Sequence, residues 1–314
     1  MSIFVISNVL ERQSLHIRLG SWWPAGDEAT PMADDAPTDE QLLSYADLPK
    51  NGRDMAEVFA VRVPAAAGGC RPPPCGIISF HGGNCCSDVI YSRSRPDEPG
   101  CPQACDSQGN IVLTGPSVAT SAYGPVVFNL QLHDNSQESP SQQDKDEEED
   151  TGRLLCDTVG GSFSNYNRAI VETVSTRYGP ADVTYAVLSN GVEGRVTVKL
   201  ACLDGEGPAG VLGRIVARSK LFNAGCMLFC NEHGNGNNMR VGSGELVPLA
   251  RHVLAVPLHM PLTVELDLRR DSGDETVRGA VAFHPATDGQ HMERVMGAGG
   301  AVIEVSISWS DYPW

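Results

Sequence analysis

The sequence predicts an all-β protein made of two tandem β-sandwich-like units that arose by internal duplication, with few short helices. Three observations predict it. A strand pattern occurs twice, once after Gly109 and again after Gly244. Apolar and polar residues alternate in short runs, as in strands with one buried face. The 33 glycines and 21 prolines punctuate the chain so densely that helical periodicity is hard to find, and short alternating runs between turn residues are the mark of an all-β chain.

Residues 1–54 read as an N-terminal arm or linker, partly disordered. Trp22-Trp23-Pro24, Pro31 to Pro37 and Lys50 to Arg53 mix turn formers and charge without period. Thr38 to Tyr45 is expected to form a short helix after an Asp-rich entry. The first unit is placed at 55–190. It opens on Phe59-Ala60-Val61-Arg62-Val63, an alternating strand whose counterpart in the second unit is Val196-Thr197-Val198-Lys199-Leu200. Val63 precedes Gly76 by 13 positions, and Leu200 precedes Gly213 by the same 13. Ile111 to Leu113 and Val126 to Leu132 then match Leu246 to Pro248 and Leu262 to Leu268. The offset between the copies stays at 135–137 over this stretch. Self-similarity at a fixed period takes precedence over other signals, and a period this long implies duplication of a whole sandwich rather than a solenoid.

The offset then falls. Arg153 to Cys156 aligns with Arg278 to Val281 at 125, and Val183 to Leu188 with Ile303 to Trp309 near 120. The first unit therefore carries an insertion, placed at 135–150. It joins a Ser/Gln-rich stretch to the acidic run Asp144 to Asp150, which repels itself, buries nothing and reads as a disordered loop. Tyr166 to Thr173 is expected to be a second short helix. The second unit is placed at 191–314.

The formal net charge is −16. A surface so acidic repels phosphate backbones and anionic lipid, so neither nucleic acid nor membrane is expected as a partner. No apolar run approaches the ~20 residues of a membrane helix. Met1 to Gly20 lacks the basic and small-residue features of a signal peptide, and no Asn-x-Ser/Thr acceptor occurs. A cytoplasmic location is expected, with a nuclear one as the variant.

Ten cysteines are present, six of them in one stretch: Cys70, Cys75, Cys85, Cys86, Cys101 and Cys105. Reduced structural thiols are the first reading, disulfides the second, and a metal site using Cys85, Cys86, Cys101, Cys105 and His81 the third. Spacings here are irregular, unlike paired Cys-x2-Cys knuckles. Cys226, Cys230 and His233 form the other candidate metal set. Against it, Cys226, Leu228 and Cys230 would share one strand face, where cysteine is an ordinary core residue.

Other motifs resolve into turns. His81-Gly82-Gly83 after Ile77 to Phe80 is similar to the oxyanion loop of α/β-hydrolases, and a serine nucleophile would then be sought at Ser162. Gly160-Gly161-Ser162-Phe163-Ser164 lacks the last glycine of a nucleophile elbow. Glu275-x-x-Arg278 is similar to the active-site pair of ribosome-inactivating N-glycosidases, but it sits in a hairpin-like turn. No catalytic or cofactor-binding residue is assigned, and no cofactor is expected.

Met55 to Val63, Gly76-Ile77-Ile78, Ile90 to Arg95, Leu113-Thr114-Gly115-Pro116 and the closing Ile303 to Ser310 occur in an order that resembles the plant, mainly grass, family called domain of unknown function 6598. The resemblance covers Met55 to Trp309 and slightly beyond, so that 55–312 together form the family domain, and it implies no established activity. Some members of that family are joined to ribosome-inactivating N-glycosidase domains in cereal defence proteins, which implies a stress or defence setting. No N-glycosidase domain is present in these 314 residues, and the toxin activity is not carried over. The expectation is a non-enzymatic interaction module with an unknown protein partner. The alternatives are a regulatory domain acting with a ribosome-inactivating N-glycosidase, and a hydrolase using His81 or Ser162.

Overall fold

The computed structural model describes residues 45, 47–63, 72–82, 87–94, 105–106, 108–134, 152–156, 166–202, 207–222, 224–232, 239–271 and 276–311. The chain divides into Met1–Asp35 and Ala36–Trp314, and every described residue belongs to the second part. Most of the N-terminal arm, the 135–150 insertion, Cys70, Cys85, Cys86, Cys101, Ser162, His233 and Glu275 lie outside the described residues.

The first eight strands are β1 (Arg53–Arg62), β2 (Cys75–Gly82), β3 (Asp88–Arg93), β4 (Thr120–Ser121), β5 (Val126–His133), β6 (Gly152–Cys156), β7 (Ile170–Thr176) and β8 (Gly179–Cys202). Then come β9 (Ala209–Ser219), β10 (Gly225–Asn231), β11 (Arg240–Val241), β12 (Val253–Pro257), β13 (Leu262–Arg270), β14 (Thr276–Phe283), β15 (Asp288–Met296) and β16 (Val302–Ser310). Besides them, the described residues hold a 3-10 turn at Ala298–Gly300 and a helical Tyr45.

The duplication is visible in the sheets. One outer sheet runs β3-β2-β5-β6 and the other β10-β9-β13-β14, the same order of equivalent strands. Between them lies a seven-stranded sheet of order β15-β16-β8-β1-β4, with β7 and β12 also paired to β8. β8 is 24 residues long. It ends the first repeat, paired with β1 and β7, and begins the second, paired with β16 and β12. Residues 190 and 191, where the two expected units meet, lie inside this strand.

Strand alternation sends the two cores to opposite faces of the central sheet. Ala181, Val183, Tyr185 and Val187 of β8 join Phe80, Phe128 and Leu130 in the first core. Ala186, Leu188, Val192, Val196, Val198 and Leu200 join Leu228, Val264 and Ile307 in the second. β1 divides in the same way, Ala56 and Val58 to the first core, Met55 and Phe59 to the second.

The matched glycines have a steric reason. Gly76 has φ +123° and Gly213 has φ +116°; a Cβ would fall 1.9 Å from the Gln131 carbonyl oxygen in one and 2.0 Å from that of Asp267 in the other. Only glycine combines that torsion with that approach. Each repeat also carries one β-bulge where the second strand meets its edge partner, skipping Ile90 in β3 and Leu228 in β10. The freed carbonyls are satisfied alike: Ile90 O accepts from Thr114 N–H and Leu228 O from Ala250 N–H, both at 2.8 Å.

Three details depart from the sequence reading. Tyr166 to Thr173 is not helical: Ile170–Thr176 is a strand on β8, as its Ile, Val and Thr residues favour. Gly109 and Gly244, both at φ +84°, lead into short bridges instead of full strands, Arg62 with Asn110 and Lys199 with Leu246. The late alignment also moves by two. Gly152 faces Leu130 as Gly279 faces Leu266, an offset of 127. Val183 faces Val61 as Val305 faces Val198, an offset of 122.

Candidate functional site

Glu57 lies on the Met55–Phe59 face of β1, among apolar neighbours, and is 2% exposed. Such a carboxylate needs partners, because an unpaired buried charge is costly. Arg251, 1% exposed and 194 positions away, supplies one: its Nη2 donates to Glu57 Oε1. The Ala255 N–H donates to Glu57 Oε2 at 2.5 Å. Arg251 also donates from Nη1 to the Val58 carbonyl at 2.5 Å and from Nε to that of Val253 at 3.1 Å. The Cys226 thiol stands over the same Val58 oxygen at 3.9 Å.

Burial pushes the Glu57 carboxyl above the usual carboxylate range, against the Arg251 guanidinium and the Ala255 N–H, which hold it down. Burial pulls the Arg251 guanidinium down, and the Glu57 carboxylate more than offsets this, so it remains protonated. Burial, then the Glu57 charge, raises the Cys226 thiol. A cavity of ≈ 10 Å³ opens beside Glu57, Phe59 and Cys226, room for about one water molecule.

The second repeat repeats the device in reverse. Glu193 on β8, 1% exposed, accepts the Ala119 N–H on Oε2 at 2.9 Å and Arg195 Nε on Oε1 at 2.6 Å. Glu57 and Glu193 lie 136 positions apart, as do Ala119 and Ala255. The carboxylate of each repeat therefore holds an amide of the other. The symmetry ends at the cations: Arg251 is buried, whereas the Arg195 side chain is 37% exposed. Beside this crossing, Asn190 ties down the chain entering β1. Its Oδ1 accepts Gly52 N–H at 2.7 Å, its Nδ2 donates to the Pro49 carbonyl at 3.0 Å, and its own carbonyl takes the Tyr45 hydroxyl at 2.9 Å.

The arrangement is a latch. Both oxygens of Glu57 and of Glu193 are engaged within the protein, so neither carboxylate is presented to a substrate.

The sequence candidates do not gather there as a set. Cys226 faces the second core, but the bulge at Leu228 reverses the alternation, so Phe229 turns inward and Cys230 lands opposite Arg214 on the outer side of its sheet. Cys226 and Cys230 therefore do not share a face. Burial, then Glu232 and Asp106, pushes the Cys230 thiol up to about 12. No group of three His, Cys, Asp or Glu side chains among the described residues is placed to hold a metal ion. His81 lies within β2 opposite Val127. Arg278, exposed on β14, pairs with Asp267 at 2.9 Å. Glu57, Arg251 and Glu193 escaped the sequence reading, although Glu57, a charge on the Met55–Phe59 face of a strand, is the type of residue that demands a buried partner.

No curated protein matches the chain. Two solved structures that match are human GIVD cytosolic phospholipase A2, at 11% identity and a TM-score of 0.25 over 84% of this chain, and the SMP domain with the two C2 domains of Extended-Synaptotagmin 2, at 10% identity and a TM-score of 0.26 over 83%. The chain spans 33% of the first and 57% of the second. No helix among the described residues is long and apolar enough to cross a membrane. A family model described as Domain of unknown function (DUF6598) matches residues 55–307.

Proposed function

Since the chain belongs to the DUF6598 family, a domain of unknown function, we propose its role from a surface that no sheet among the described residues covers: a non-enzymatic module that binds a protein on the outer face of the second repeat's half of the central sheet. In the first repeat this side of the sheet is covered by β3-β2-β5-β6. In the second it carries Thr197 and Lys199 of β8, Glu304, Ser306 and Ser308 of β16, and Met292 of β15, with Leu246 alongside Lys199. Leu246 is 59% exposed and Met292 49%.

That open face is the observation that carries the reading. Exposed Met and Leu among the short polar Thr197, Ser306 and Ser308 and the charges of Arg195, Lys199, Arg294 and Glu304 suit a protein contact, while the buried carboxylates are engaged in holding the repeats together. The resemblance to modules of cereal defence proteins supports a stress or defence setting, with a plant cytosolic partner.

The test is crosslinking capture from plant extract with the wild-type chain and with Thr197→Arg/Ser306→Arg, followed by titration of the recovered protein. Both substitutions point outward and leave the cores intact. A partner that binds the wild type and loses at least about tenfold in affinity for the variant supports the reading, since ~1.4 kcal/mol is tenfold. A partner bound equally by both places recognition elsewhere and refutes it.

A further inference from the structure

We propose that β15 pairs antiparallel with β15 of a second copy of this chain, centred on Met292, joining two central sheets edge to edge. Self-pairing needs no outside partner, and it runs along the strand edge while sharing only Met292 and Arg294 with the residues of the binding face above.

β15 is the end strand of the central sheet. It matches β16 through all nine residues, Asp288 opposite Ser310 to Met296 opposite Val302, without a bulge. No strand among the described residues pairs with its other side. In an antiparallel ladder, alternate N–H and C=O groups then face outward, a template for another strand. Eight of its nine residues are exposed.

Edges are commonly protected by bulges, shortness, Pro or charged side chains, Lys above all. Four other edges show such protection: β3 and β10 each carry a bulge, β4 has two residues and β6 five. β7 and β14 lack it as well but are shorter, with seven and eight residues. β15 has no bulge, no proline and no lysine, and its charges, Asp288, Glu293 and Arg294, are of both signs, so a strand of matching pattern can be accommodated.

The charge pattern selects a second copy as the occupant. In a two-fold antiparallel pair, facing residues share a side of the sheet, so the centre must fall on a residue. Centred on Met292, the middle of Asp288–Met296, the pairing uses all nine positions. It sets Glu293 against His291 of the second copy twice over, Gln290 against Arg294 twice over, and Met292 against Met292. The neighbouring registers are worse. Centred on Glu293 or Arg294, the pairing puts a like charge against itself, which destabilises a cross-strand pair. Centred on His291, it leaves Val295 and Met296 unpaired. Arg294 also keeps its ion pair with Glu304, 3.1 Å away on β16. With a formal charge of −16 on each copy, repulsion opposes association, so added salt strengthens the pair.

Sedimentation equilibrium of the full chain over about 1–100 μM, at low and moderate salt, tests the proposal together with oxidative crosslinking of single-cysteine additions. These concentrations bracket affinities of about −8 kcal/mol and weaker. The expected result is a dimer that strengthens with salt. Met292→Cys crosslinks between chains and Gln290→Cys does not, because position 290 faces 294 and lies about 14 Å from its own counterpart at ~3.4 Å per residue. Met292→Lys, which sets like charges on the axis, weakens the dimer at least about tenfold without changing the melting temperature of the monomer. A folded chain that stays monomeric throughout overturns the proposal, as does a dimer indifferent to Met292→Lys or one that crosslinks equally at 290 and 292. Protection of β15 amides that appears only when another protein is added gives the edge to a foreign strand and overturns it as well.

Discussion

Glu57 and Arg251 are held by one another and by the backbone, and neither is tolerable alone in the core. Arg251→Met removes the guanidinium and leaves a carboxylate held by the Ala255 and Val58 N–H groups and the Cys226 thiol, with no countercharge. The expected loss is about 3–5 kcal/mol at neutral pH, the range for breaking a buried pair from one side. The loss depends on pH in a defined sense. The folded Glu57 carboxyl already sits above its unfolded value through burial, with Arg251 opposing the rise. Taking Arg251 away raises it further. A group raised on folding contributes most stability below its unfolded value, about 4.3 for Glu, and loses it as pH rises through the folded value. The urea midpoint of Arg251→Met should therefore recover toward that of the wild type on acidification from about pH 8 to about pH 5. Glu57→Gln combined with Arg251→Met should be less damaging than Arg251→Met alone, since no unpaired charge remains. A deficit independent of pH would mean that the residue acts by volume alone. The need for a partner was legible in Glu57, which shares a strand face with Met55 and Phe59. The partner's identity was not, because 194 positions separate the pair and nothing local marks Arg251.

At the scale of elements, the spacing of Gly76 and Gly213 from the preceding strands was readable in sequence because a steric necessity fixes it. Their strands bend where a carbonyl from the neighbouring strand occupies the place of a Cβ. Gly213→Ala is expected to destabilise the protein by more than ~2 kcal/mol, combining backbone strain with a clash that the sheet must move to relieve. Gly244→Ala is the control: φ is +84° but nothing lies within 4 Å of the added methyl, so the cost is the left-handed torsion alone, ~1 kcal/mol. Thermal denaturation of the two variants checks the difference; equal losses would contradict the steric account. Tyr166 to Thr173 misled because its periodicity is poor and tertiary pairing with β8 decides its state. Cys230 misled for a different reason. A bulge inserts one unpaired residue and reverses every later side chain, and nothing in Leu228 announces it. β8 was legible as two strands and not as one. Asn190-Gly191 is the strongest short hairpin signal in that stretch, yet the chain continues straight. The Asn190 side chain is taken by Gly52 and Pro49, and Gly191 pairs with Pro257 of β12.

For the molecule as a whole, duplication set the architecture and sharing set its unity. Each repeat is a two-layer sandwich, but β8 belongs to both, and each buried carboxylate holds an amide of the opposite repeat. The repeat was legible at a nearly constant offset. Its fusion was not, because shared strands and crossed hydrogen bonds are long-range features without a local signature. Neither sandwich is therefore expected to have a stability of its own. Hydrogen–deuterium exchange of the full chain across a denaturant series tests it most directly, read separately for the amides of β2 and β5 and for those of β9 and β13. Both sets are expected to lose their last protection at one midpoint, in a single global unfolding. Exchange of β2 and β5 at a distinctly lower denaturant concentration, while β9 and β13 stay protected, would contradict it.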